Sequence, residues 1–103
     1  AEVAHIFVQS NKKNIKVKYD DIFYIESIKD YIKIHTTTTR LVIKHGISAF
    51  ESKLDERFVR VHRSYIVNSE KVTAFTKHDI EIDAFEIPIG DLYKKNALLK
   101  LNV

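Results

Sequence analysis

The chain has 103 residues, a net charge of +3 and a composition that is 45% hydrophobic and 11% aromatic, which suits one folded domain over residues 1–103 and leaves no room for a second core. It contains no cysteine, which excludes disulfide scaffolds, thiolate metal sites and cysteine nucleophiles and agrees with a reducing cytoplasm. No apolar run is long enough to cross a bilayer, and the N-terminus lacks the pattern of a secretion signal.

The opening "HIFVQSN" and "NIKVKY" alternate apolar with polar residues around the turn-like "SNKKN", predicting a hairpin. The chain starts without methionine directly before this strand, so it is expected to be a fragment of a longer protein. After an acidic turn, "DDIFYIES" places Ile22, Tyr24 and Glu26 on one side and Phe23 and Ile25 on the other, the pattern of a central strand. "YIKIHT" and "RLVIKH" predict a second hairpin with its tip within Thr36 to Thr39.

Ser48 with Glu51 three residues later has capping-box spacing, and Ile47, Phe50 and Leu54 share a helical side, predicting a short helix from Ser48 to Asp55. Next come "FVRVHRSYIVN", then "KVTAFTK" and "DIEIDAFEIPI" around a turn at His78 and Asp79. The closing "GDLYKKNALLKLN" predicts a helix capped by Asp91, with Leu92, Leu98, Leu99 and Leu101 as its apolar residues. The fold class is therefore mainly β: small antiparallel sheets of short strands, a short central helix and a C-terminal helix. Gly46 and Gly90 precede the two helices, and no glycine-rich phosphate loop is present.

Positive charge is gathered. Lys29 to Lys44 carries four cations against Asp30, net +3; Arg57 to Lys77 carries five against Glu70, net +4; the remainder is −4. Such gathering is expected if both segments share a face toward a polyanion. Within the second segment, His62, Arg63 and Ser64 interrupt two strand-like runs. A hydrolase reading fails, since Ser64 lies on no GxSxG elbow and nothing supplies a group to orient the histidine. The five histidines show no HxH or HExxH spacing, so neither metal nor cofactor is called for, although His35 and His45 could face each other across the hairpin. Binding fits better. Val59 and Val61 would be buried while Arg60 and His62 face the other way, and the bend would carry a guanidinium and a hydroxyl able to meet a guanine edge or a phosphate. The competing structural role pairs Arg63 with Glu26 or Asp55.

Phe58 to Asn68 closely resembles the F-x-R-x-H-R-S-x-[IV]-V-N signature of LytTR-type bacterial DNA-binding domains, and "DIFYIESIKDYIKIHT" and "IPIGDLYKKN" resemble that family's earlier and closing motifs in the right order. The resemblance implies a non-enzymatic transcription-factor domain, usually the output of a two-component response regulator, so an N-terminal receiver-like domain would be missing. It implies loops rather than a recognition helix in successive major grooves of double-stranded DNA, with homodimers on paired repeats. By position, Lys29, Asp30 and Tyr31 would form the first contact, Arg63 and Ser64 the second and Lys94 the third, with Arg60, His62 and Asn68 in support. Gly90 and Asp91 depart from the serine and basic residue common in the family; Asp91 would either accept from a cytosine amine or cap the last helix. The alternative from another class is a protein-interaction module using the "TTTTRLVIK" hairpin as an exposed strand edge.

Overall fold

Alternating apolar residues in short runs give strands in this chain, and a computed structural model describes residues 3–101. The strands are β1 (His5–Ser10), β2 (Lys13–Lys18), β3 (Ile22–Ile28), β4 (Tyr31–Thr36), β5 (Arg40–Lys44), β6 (Phe58–His62), β7 (Tyr65–Asn68), β8 (Ala74–Phe75), β9 (Asp79–Ile82) and β10 (Phe85–Pro88). The helices are α1 (Ile47–Glu51) and α2 (Lys94–Leu101). All pairings are antiparallel.

A five-stranded sheet of order β5-β4-β3-β7-β6 separates two cores. Strands β6 and β7 alternate between them: Phe58 and Ile66 join one cluster with β1, β2 and α1, while Val59, Val61 and Val67 join the other with β9, β10 and Ala97 of α2. The two-stranded β1-β2 sheet and the three-stranded β10-β9-β8 sheet therefore cover opposite faces. The expected central position of "DDIFYIES" is where β3 lies, and the apolar residues on both of its faces are explained by the two cores. Its facing differs from simple alternation. A register shift between Ile22 and Tyr24 puts Ile22 beside Ile25 in one cluster and Tyr24 in the other, because a bulge inserts one extra residue.

Other boundaries also moved. Helix α1 stops at Glu51, and its N-cap is Gly46 without a side-chain bond, because Ser48 and Glu51 are used elsewhere. Helix α2 begins only at Lys94; Leu92 is 95% exposed and Leu99 66% exposed, so neither packs in the core as expected. Asn102, the end of that predicted helix, lies outside the described residues. "DIEIDAFEIPI" contains a further hairpin turn at Asp83, which has a positive φ of 52°. No described helix is long and apolar enough to cross a membrane.

His35 pairs with Arg40 across the β4-β5 hairpin, so it does not face His45. It is buried, stacks on Tyr24 with ring centroids 4.1 Å apart and shares a hydrogen bond of 3.2 Å between Nε2 and Glu26 Oε1. The carboxylate requires Nε2 to carry the proton, which leaves Nδ1 buried without a partner. Burial pulls the His35 pKa below the ordinary 6.5, against the opposing pull of Glu26. A depressed folded pKa means full stability above pH 6.5 and loss as the pH falls through the folded value. The urea midpoint should therefore drop between pH 7.5 and 5, and His35→Phe should flatten that dependence.

Candidate nucleic-acid interface

Three connections converge at one end of the central sheet. The β3-β4 connection is Lys29 and Asp30, the β6-β7 connection is Arg63 and Ser64, and the β10-α2 connection runs from Ile89 to Tyr93. Two backbone bonds of 2.8 Å stitch them together: Ser27 N–H donates to the Ser64 carbonyl, and Gly90 N–H donates to the Val61 carbonyl. The approach is close: a Cβ on Gly90 would meet His62 Cδ2 at 3.3 Å, so a larger residue here would push the imidazole aside by a few tenths of an ångström.

The bend itself is held from beneath by Arg60. Alternation predicted an outward side chain, but Arg60 is buried because α1 folds under β6. Its Nε donates to the His62 carbonyl at 2.8 Å and one terminal nitrogen to the Arg63 carbonyl at 2.5 Å. The other terminal nitrogen donates to Glu51 Oε1 at 2.9 Å and Ser48 Oγ at 3.3 Å, which is why the capping box never forms. The guanidinium also lies 5.4 Å from the centre of the Tyr93 ring, joining the third connection to the second. A planar fork with fixed donors suits this task. Ser64 N–H adds a bond to His62 Nδ1 at 3.1 Å, so His62 also acts inside the bend.

Lys29, Asp30, Tyr31 and Arg63 are exposed, while Ser64 and Lys94 are half-buried. Arg63 forms no ion pair among the described residues. Its two suggested partners are engaged: Glu26 with His35 and Asp55 with Arg57. Lys29 adopts a positive φ of 55°, a conformation costing a non-glycine residue about 1 kcal/mol, so its loop is held in a defined shape by the strands around it.

Two parts of the expected basic face are not available. Arg57 sits at the start of β6, opposite the bend, bonded to Asp20 and Asp55, and Arg60 is neutralised by Glu51. Asn68 is fully buried at the far end of β7, donating to the Tyr19 and Ile22 carbonyls and accepting from Glu70 N–H, each at 3.0 Å. Asp91 caps no helix: it occupies a turn closed by Tyr93 N–H donating to the Gly90 carbonyl at 3.0 Å, and Ala97 N–H, the first bond of the helix, reaches Tyr93 instead. Leu92 and Tyr93 belong to this end of the molecule; they lie within the "IGDLYK" segment expected to form the third contact, but they were given no contact of their own, and the helical reading took Leu92 for core. Strand β5, the edge proposed for the alternative reading, exposes Val42 at 52% but is contacted by β1. No metal-binding cluster occurs among the described residues.

Residues 12–101 match the LytTr DNA-binding domain family. Over 59 residues the chain is 36% identical to the CO-responsive transcriptional regulator RcoM of Rhodospirillum rubrum; the alignment covers 56% of this chain and 25% of that protein, so the match spans about a quarter of the relative's length. The LytTr DNA-binding domain of a response regulator from Bacillus cereus has the same fold, with a TM-score of 0.81 at 20% identity over 97% of this chain and 98% of that one. With a family match over most of its length, the chain belongs to the LytTR family of DNA-binding domains.

Proposed function

We propose that this domain reads double-stranded DNA by inserting its three converging connections into the major groove, and that it does so as the output of a two-component transcriptional regulator in the cytoplasm. In this reading Lys29, Asp30 and Tyr31 make the first contact, Arg63 and Ser64 the second and Lys94 the third. A receiver-like domain would precede it, and two copies would occupy paired repeats.

The observation that carries the reading is the Arg60 fork. A guanidinium spends its donors on the carbonyls of the bend itself and so presents the unpaired Arg63 side chain outward in a fixed frame. Preorganised groups of this kind suit base recognition, because little freedom remains to be lost on binding. His62 and Arg60 support the frame from inside, and Asn68 anchors the opposite end.

Arg63→Ala tests it. On a duplex selected for tight binding, the substitution should cost about 5- to 150-fold in affinity and relax the preference at one base pair, as expected when a bidentate base contact worth about 1–3 kcal/mol is lost. Lys94→Ala should instead weaken selected and mixed-sequence duplexes alike. Equal loss on every sequence for Arg63→Ala would reduce Arg63 to a phosphate clamp.

A further inference from the structure

Leu92 is 95% exposed, although most of the chain's leucine and isoleucine side chains are at least partly covered. Its position is fixed from both sides. Gly90 and Tyr93 close a four-residue turn by a hydrogen bond of 3.0 Å, so Asp91 and Leu92 occupy its two corners. One leg of the turn is tied to β6 by the Gly90-to-Val61 bond, and the other is set by the Tyr93 ring against the Arg60 guanidinium. The tip is therefore a rigid apolar knob rather than a loose loop.

Its surroundings point in one direction. Leu92 and Asp91 share a shallow depression of about 150 Å³ with Arg63, His62, Gly90 and Tyr93, so the knob stands beside the residue assigned to base contact. Asp91 makes this tip unsuited to the phosphate backbone, which repels a carboxylate. A base edge is compatible with both neighbours: the major groove presents the thymine C5-methyl as its apolar feature and the cytosine amine as a donor to carboxylates.

We infer that Leu92 is a specificity-determining residue that packs on a thymine methyl in the major groove, next to the base pair read by Arg63. The inference rests on the DNA-binding reading above and names part of what that reading recognises. Covering one methyl group corresponds to about fourfold in affinity.

The test begins by selecting bound sequences from a random duplex pool with the wild-type domain. Each thymine of the selected site is then replaced in turn by deoxyuridine, which removes only the methyl group, and affinities are measured for wild type and Leu92→Ala. The expected result is one thymine in each repeat whose replacement weakens wild type about fourfold, while Leu92→Ala binds the thymine duplex less well and is indifferent to the same replacement. Leu92 is almost fully exposed, so the variant should fold, and an unchanged urea midpoint checks this. Equal uracil penalties for both proteins at every position, or wild-type affinity in Leu92→Ala, would overturn the Leu92 contact alone. Failure to recover any preferred sequence at all would overturn the DNA-reading proposal and the Leu92 contact with it.

Discussion

Arg60→Ala should cost the domain about 3 kcal/mol, read as a lower urea midpoint at an unchanged slope. The side chain is 10% exposed and pairs with Glu51, whose own side chain is 41% exposed. Glu51 can therefore return to water, and the larger part of the loss comes from the His62 and Arg63 carbonyls, which accept the two bonds that shape the bend. Hydrogen bonds to a charged donor contribute about 1.5–3 kcal/mol each, and the partial rehydration of an open bend keeps the total below their sum. Arg60→Lys should recover less than half, because an ammonium on one stem cannot span two carbonyls, a carboxylate and a hydroxyl. DNA affinity should fall in both variants even where the protein remains folded, since the frame around Arg63 loosens. A cost below about 1 kcal/mol would mean that the bend is held by its strands alone.

Asn68→Ala should be as damaging to stability and should leave the surface proposed to meet DNA untouched. The amide is 0% exposed and makes three hydrogen bonds, two to carbonyls ahead of β3 and at its start and one from Glu70 N–H. Alanine removes one partner from each of three backbone groups; the Tyr19 carbonyl keeps the Ile22 N–H and Glu70 is exposed, so the loss stays below the sum of about 1–3 kcal/mol for each group. A total near 3 kcal/mol corresponds to a fall in Tm of about 15 °C for a domain of this size. Asn68→Asp should be no rescue, since a carboxylate cannot donate to the Tyr19 and Ile22 carbonyls and its charge would be buried. A variant that melts normally but loses DNA binding would place Asn68 at the interface instead.

Period and turn chemistry were legible in the sequence where the signal is local. The opening hairpin, the β4-β5 hairpin and the break at His62 to Ser64 all follow from alternation interrupted by polar or turn-forming residues. What escaped depends on neighbours distant in sequence. A charged residue in an alternating strand reads as outward-facing, and only α1 folding under β6 makes Arg60 an inward one. The same contact takes Ser48 and Glu51 away from the capping box their spacing suggested. The β3 bulge has no glycine or proline to announce it, and the left-handed Lys29 is a residue type that carries no such signal. Leu92 read as an apolar helix residue together with Leu98, Leu99 and Leu101, but the turn beginning at Gly90 delays the helix and leaves the side chain exposed. The gathered charge was half informative: Arg63 stands free at the converging loops, whereas Arg57 is spent on Asp20 and Asp55 at the other end of the strand.

On the proposed reading, one end of the central sheet, and not its β5 edge, meets DNA. Titrating the isotopically labelled domain with duplex DNA and following backbone amide shifts by NMR tests it most directly. The expected result is saturable shifts clustered at Lys29 to Tyr31, His62 to Ser64 and Gly90 to Lys94, with Asn68 and Arg57 at the far end unmoved. Shifts centred on Thr37 to Lys44, with the three connections silent, would contradict it and return β5 as the binding surface.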